Sequence, residues 1–337
     1  MGITRAQGAR RKGRGNPSVP LHPAPRPLPL RPLRPAPCAS RLRFPDVIVV
    51  GAGPAGLAAA VQLVRQGIDC VVLEKDRPGG QIATANLVEN YLGLYRLSGA
   101  DIAGLFVKHA MNAGVSIIRA EVRAISKGVP FIVATTKGAW RSRAVVVATG
   151  AAPNELDNTG GSVDYDTKDL AIFRGRNVVV LGSGDAAFDR ALRIRPVASA
   201  VRIICRGKPS ALPLLIQRCR KAKIKVVTDA GEPAVRFEAG GFLVRTQKGT
   251  FRAERLLSSL GKTARPPALP RPLAGLAPMF PDGRTKVPGL FLVGDLVSGR
   301  DRYLSIATGM GIAAAMAIGQ WFKKGNGVEV GRAASWK

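Results

Sequence analysis

The stretch DVIVVGAGPAGLAAAVQLVRQG, Asp46 to Gly67, constrains what this chain can fold into more than any other. Four apolar β-formers, Val47 to Val50, run into Gly51-Ala-Gly53-Pro-Ala-Gly56, and an alanine- and leucine-rich helical pattern follows without a break. The spacing predicts strand, tight turn and helix. In such a turn Gly51 adopts backbone angles closed to other residues, Gly53 leaves room for a pyrophosphate against the main chain, and Gly56 lets helix pack on strand. The free N–H groups at the helix start then face the phosphates. Three glycines alone are a weak signal, but here a second strand, CVVLEK, follows and ends in Glu74, 23 residues after Gly51. A carboxylate at that distance would accept the ribose hydroxyls of a dinucleotide.

The pattern returns further on. NVVVLGSGDAAFDRAL, Asn177 to Leu192, is again strand, glycine turn and helix, with Gly182, Gly184 and Ala187 at the three fingerprint positions. A duplication of this kind means two dinucleotide sites. The next strand, AVRIICRG, offers Arg206, 24 residues after Gly182, with Lys208 near and no carboxylate. A carboxylate there would bond the 2'-hydroxyl of NAD and repel a 2'-phosphate, and an arginine does the reverse, so NADPH is expected over NADH.

The chain is long enough, at 337 residues, for two ordinary domains. No uninterrupted apolar run reaches membrane-spanning length. The net charge is +29, and residues 1–45 hold ten Lys and Arg and no acid, so the remainder keeps +19. Such a field favours an acidic partner, whether a small acidic protein, nucleic acid or a phosphorylated ligand; a solvated basic surface is the plainer account. Residues 1–44 carry nine prolines and no apolar period. They are expected to be a disordered basic tail, with too many prolines for the amphipathic helix of an organelle-targeting peptide and no apolar core for a secretory signal. A start codon placed too far upstream accounts for them as well. The tail has one aromatic, Phe44, and so no stacking platform for nucleic acid. The four cysteines, Cys38, Cys70, Cys205 and Cys219, form no CxxC and no Cys/His cluster of metal-ligand spacing. No metal site is expected, Cys205 and Cys219 read as structural thiols, and the compartment is expected to be reducing and cytoplasmic.

Between the two fingerprints, residues 76–93 (DRPGGQIATANLVENYLG) suit a loop along a flat ligand. A helix follows in SGADIAGLFVKHAMNAG, with His109 on its solvent face and given no role, then strands in VSIIRAEVRAIS and PFIVATT, and a hairpin-like KGAWRSRAVVVATG. The buried strand RAVVVATG ends in small residues. After the second fingerprint come KIKVVTD, a two-stranded AVRFEAGGFLVRTQ, and RLLSSLGK near Lys262. VPGLFLVGDLVSG predicts a short strand ending in Gly294-Asp295, and a long helix is expected from about Leu304 to Lys323. Asp295 reads either as a carboxylate beside a polar ligand or as a helix cap.

In this order, GAGPAG, Glu74-Lys75, Gly79-Gly80-Gln81, Glu89-Asn90-Tyr91, ATG (148–150), GSGDAA, Gly294-Asp295 and ATGMGIAAA resemble the two-dinucleotide-domain flavoproteins of the thioredoxin reductase type, over about residues 46–324. The resemblance implies an α/β fold with two Rossmann-like domains, the NAD(P)H domain inserted into the FAD domain. Residues 45–153 and 265–326 would form the FAD domain, 154–264 the NAD(P)H domain, and 327–337 a C-terminal tail. It implies FAD along Gly51, Gly53, Pro54, Ala55 and Gly56, with Glu74 and Lys75 at the adenosine. Gly80, Gln81 and Asn90 would lie along the FAD, as would Ala148, Thr149 and Gly150. Gly294, Asp295, Tyr303 and Leu304 would complete that site, Asp295 on the ribityl chain. NADPH is implied at Gly182, Ser183, Gly184, Asp185 and Ala186, with Arg206 and Lys208 at the 2'-phosphate. NADH is the second possibility.

The chain departs from that family in lacking CxxC. Its segment YDTKDLAIFRGRNVVVLGSGDAAFDRAL is similar to the ferredoxin–NADP reductases of the same fold, which reduce a small acidic iron–sulfur protein. The resemblance therefore implies NADPH-to-FAD hydride transfer, an acidic carrier such as ferredoxin as acceptor, and a homodimer. Trp336 is the candidate aromatic over the flavin. The family's His-Arg-Arg signature survives only as Cys205-Arg206-Gly207, and Tyr303 replaces a glutamine. Those departures leave two alternatives: a thioredoxin reductase-like enzyme or NAD(P)H oxidase using another acceptor, and a non-catalytic flavin-binding redox sensor or partner protein.

Overall fold

In the computed structural model the described residues are 44–325, apart from 127, 129, 158, 272–274, 276–277 and 279–280. All of the expected tail but Phe44, Cys38 included, lies outside them, as do Trp336 and residues 327–337. The opening strand β1 (Val47–Val50) is the centre of a five-stranded parallel sheet. On one side it pairs with β2 (Cys70–Glu74), which pairs with β3 (Ser116–Arg119); on the other it pairs with β7 (Ala144–Val147), which pairs with β17 (Leu290–Leu292). Buried on both faces, β1 and β7 carry the unbroken apolar runs that such strands require. Alternate side chains then go to opposite cores. Val47, Val49 and Val146 pack under helices α1 (Pro54–Arg65) and α5 (Leu304–Lys323). Ile48, Val50, Val145 and Val147 pack instead on Phe131, Val133 and Trp140 from the antiparallel sheet of β4 (Val122–Ile125), β5 (Phe131–Thr135) and β6 (Gly138–Ser142).

The second half repeats this plan. Parallel strands β11 (Lys225–Val227), β10 (Ala200–Ile204), β9 (Asn177–Leu181) and β15 (Arg255–Ser258) lie in that order. Helices α3 (Asp185–Ile194) and α4 (Pro213–Lys221) cover one face. The other is covered by the antiparallel sheet of β12 (Ala234–Glu238), β13 (Gly241–Thr246) and β14 (Gly249–Ala253). This whole unit lies in the chain between β7 and β17, which are neighbours in the first sheet. It is therefore an insertion. The chain leaves through β8 (Ala151–Pro153) and returns through β16 (Lys262–Ala264), and the two segments pair with each other, Lys262 opposite Pro153.

Two expectations need correction. KGAWRSRAVVVATG is not a hairpin: the hairpin joins β5 to β6, with Thr135 opposite Gly138, and β7 belongs to the parallel sheet. Residue burial decides this, because β7 is buried on both faces while β6 alternates. The loop at 76–93 also contains a 3-10 turn, Gly80–Thr84. Helix α5 has the bounds expected. By length and composition it is apolar enough to cross a membrane; here it packs along α1, where a Cβ on Gly311 would lie 2.1 Å from Ala55 O.

The fingerprint glycines act as sterics require. Gly51 has φ +104°, and a Cβ on Gly56 would lie 1.9 Å from Gly51 O. Gly56→Ala is expected to cost about 1–3 kcal/mol in urea unfolding. Gly309→Ala, at an exposed position of α5 with open space around it, should instead stabilise by roughly 0.5–1 kcal/mol.

Candidate functional site

A cavity of about 1720 Å³ runs across the C-terminal edge of the first sheet. All the residues expected at FAD line it except Gly56, which packs behind the turn. Helix α1 begins at Gly53 with no side-chain cap, so its first-turn amides are available to a ligand. A Cβ on Gly53 would meet nothing within 4 Å, which leaves the room a diphosphate needs. At the end of β2 the Glu74 carboxylate accepts the Ala52 N–H at 2.7 Å and the Asp76 N–H at 2.9 Å, which fixes it beside the turn. The following loop lies directly over the turn: a Cβ on Gly80 would sit 2.9 Å from Gly53 Cα.

On the β17 side of the α1 start, where a Cβ on Gly294 would lie 2.8 Å from the Ala55 Cβ, Gly294 and Asp295 lie in a 3-10 turn, so Asp295 is not the cap of α5, a place Tyr303 holds. Burial raises the Asp295 pKa, and Lys262 and Arg302 oppose that rise. Gln81 donates from Nε2 to the Ala151 carbonyl and accepts from Lys262 Nζ on Oε1. Arg302 donates from Nη1 to the Lys262 carbonyl at 3.0 Å, and its buried Nε has no hydrogen-bond partner among the described residues. An orphaned guanidinium N–H, uncapped helix amides and the clearance at Gly53 all fit an anionic, polyhydroxylated ligand such as FAD.

The second fingerprint is built like the first. A Cβ on Gly182 would lie 2.7 Å from Ser259 O and 2.9 Å from the Ala187 Cβ, and Gly184 begins α3 with no side-chain cap. Asp185 and Ala186 line the large cavity; Gly182, Ser183, Gly184, Arg206 and Lys208 do not. Arg206 Nη1 is paired with Glu232 at 3.0 Å, with both side chains well exposed, and Lys208 is exposed. Glu232 was not legible in the sequence, since it lies beyond the next strand, 26 residues from Arg206.

The inserted unit is held to the loop after β2 by polar contacts, which the sequence also did not signal. Asp189 of α3 accepts the Asn86 N–H at 2.8 Å and also the Leu87 N–H. Arg193 donates to the Ala85 carbonyl at 3.0 Å, and Thr167 to the Thr84 carbonyl at 3.1 Å. Arg218 of α4 makes a two-pronged pair with Glu89, and Lys168 pairs with Asp76 at 3.2 Å.

A family model for pyridine nucleotide-disulphide oxidoreductases matches residues 45–317. The chain belongs to this family. Thioredoxin reductase of Bacillus subtilis is 29% identical over 81% of this chain and 93% of its own length. That of Ureaplasma parvum is 27% identical over 83% of this chain and 98% of its own. Among solved structures, T. acidophilum thioredoxin reductase superposes with a TM-score of 0.75 at 28% identity, covering 82% of this chain and 98% of that one. As a pyridine nucleotide-disulphide oxidoreductase the chain is a flavoprotein enzyme that uses FAD and NADPH.

Removing the Asp189 carboxylate should loosen the contact it makes. A hydrogen bond to a charged acceptor contributes about 1.5–3 kcal/mol. Asp189→Ala is therefore expected to speed amide exchange at Asn86 and Leu87 by roughly 10- to 100-fold, with the amides of β1 and β2 unchanged, in hydrogen-exchange mass spectrometry or NMR.

Proposed function

We propose that this chain is a thioredoxin reductase-like enzyme that passes electrons from NADPH through FAD directly to an external acceptor, without a dithiol of its own. The observation that carries this reading is the state of its thiols. The three described cysteines are free and buried. Burial pushes the Cys70 and Cys219 thiols up to about 12 and raises Cys205 as well. Thiols of that kind are inert as nucleophiles at neutral pH and cannot relay electrons.

The residues then divide the work. The α1 amides and Gly53 would hold the FAD diphosphate, Glu74 the adenosine ribose, and Asp295 the ribityl hydroxyls. Gln81, Asn90, Gly150, Tyr303 and Leu304 would border the ring. The start of α3, lining the same cavity through Asp185 and Ala186, would bring the nucleotide to it. Bound FAD supplies hydride acceptance and the release of electrons singly or in pairs. The surplus charge of +19 outside residues 1–45 favours an acidic carrier such as ferredoxin as acceptor. The relatives' name, thioredoxin reductase, favours a thiol–disulfide partner as the second reading. Buried free thiols suit a reducing, cytoplasmic compartment for either.

Anaerobic titration of the FAD-loaded protein tests the first half of the proposal: NADPH should bleach the oxidised flavin at lower concentration than NADH, and no bleaching by either would overturn it. Reoxidation by ferredoxin, by thioredoxin or by oxygen alone then sorts the acceptors. Glu74→Ala should weaken FAD binding by about 10- to 100-fold, the loss of hydrogen bonds to a charged group. Glu232→Ala, which frees Arg206 for a 2'-phosphate, should lower the KM for NADPH relative to NADH; an unchanged ratio would remove Arg206 and Glu232 from nucleotide choice.

A further inference from the structure

We propose that the Lys262 ammonium, held by Gln81 and facing Asp295, is the cation that favours the reduced flavin in this enzyme. The inference rests on FAD occupying the cavity as described above. The strand order fixes which end of the cavity is concerned. Glu74 ends β2 and the diphosphate turn follows β1, so the dinucleotide crosses the sheet edge from β2 over β1 and continues toward β7 and β17. Lys262 belongs to that far end. It touches Gln81, it interacts with Asp295 just after β17, and its carbonyl holds Arg302 just before α5.

Lys262 interacts with charges of both signs. Desolvation lowers the Lys262 pKa to about 8, as do Arg190 of α3 and Arg302, while Asp295 works in the other direction. Lys262 and Arg302 thus face Asp295, while Arg190 also interacts with Asp166 and Asp189. Arg190 is itself buried and is engaged with the Ser258 carbonyl and the Ser259 hydroxyl, so it is fixed in place. Reduction adds negative charge to the flavin, and a cation in a partly desolvated site interacts with that charge far more strongly than one in water. Lys262 also sits on β16, the segment by which the inserted unit returns to the first sheet, so the charge is carried on the connection between the two units.

A structural role for Lys262 would tie β16 to the 3-10 turn through Gln81 and leave the redox behaviour alone. Charge and structure separate in three variants: Lys262→Arg keeps the charge, Lys262→Gln keeps a hydrogen-bond donor, and Lys262→Met keeps only the apolar stem. FAD stoichiometry and affinity are measured for each, then the midpoint potential against reference dyes from pH 6.5 to 9.5. The arginine variant should match the wild type below pH 8 and keep its effect above it, where the wild-type lysine loses its charge. At pH 7 the glutamine and methionine variants should show about a tenfold lower reduced-to-oxidised ratio at a fixed poise, which for a two-electron couple is about 30 mV more negative. A lysine is charged below its pKa, so the gap should be full below pH 8 and close as the wild type passes through it. Neutral variants that bind FAD normally and keep the wild-type potential would overturn the proposal. So would loss of FAD by both neutral variants with retention by the arginine variant, because the charge would then act on binding rather than on reduction. A wild type that binds no FAD would instead defeat the functional reading on which this inference rests.

Discussion

The site depends on two contacts that no side chain could occupy. Helix α1 packs on the first sheet and alongside α5, and it is brought close to both by missing Cβ atoms: Gly56 against Gly51 O and Gly311 against Ala55 O. Together these set the height of α1 over the sheet and its slide along α5. The uncapped amides at its start are thereby fixed above the ends of β1 and β7. Gly294 closes on the same place, where a Cβ would lie 2.8 Å from the Ala55 Cβ. A ligand-binding end is thus held by backbone packing rather than by the cavity-facing side chains.

The sheet plan was legible because it rests on local chemistry. Strand, glycine turn and helix occur in consecutive residues, and parallel strands buried on both faces print as runs such as VIVV and AVVV. The α5 bounds followed from the same signals, whereas the insertion was implied by the family resemblance. The break between β6 and β7 was harder to see, since Ser142 and Arg143 punctuate an apolar stretch that changes sheets without a proline or glycine. The candidate cavity was legible where its residues flank a motif. Its far-end electrostatics were not. Lys262 meets Gln81 across 181 residues, and Arg218 meets Glu89 across 129, with no periodicity or spacing to announce either pair. The Arg206 reading has the same root: the basic residue stood at the expected position, and the carboxylate that engages it came from a separate loop.

The contacts between the inserted unit and the loop after β2 differ in kind from those inside each unit. Within a unit, valine, leucine and phenylalanine side chains are buried to completion in continuous apolar clusters. Between the units the named contacts are hydrogen bonds and ion pairs, and the chain crosses through the three-residue segments β8 and β16. Exposed ion pairs such as Lys168–Asp76 contribute about 0–1 kcal/mol each. The Asp189 contact is the more protected one, and its carboxylate carries a burial penalty that its backbone donors only partly offset. An interface of this composition is of the polar type that lets domains move relative to each other. It can open without exposing apolar core.

That polarity bears on how electrons could leave. A relay dithiol on the inserted unit would need that unit to swing its sulfurs toward and away from the cavity. With its cysteines buried in apolar clusters, the inserted unit has no sulfur to present, whichever way it turns. Motion of the unit can still serve to admit the nucleotide, since the start of α3 shares the cavity. On the proposed electron path the acceptor would approach the flavin end itself, where Lys262 and Arg302 face Asp295. The Lys262 charge proposed to favour the reduced flavin would also draw an anionic partner toward that end, so one group would serve both halves of the proposed electron path.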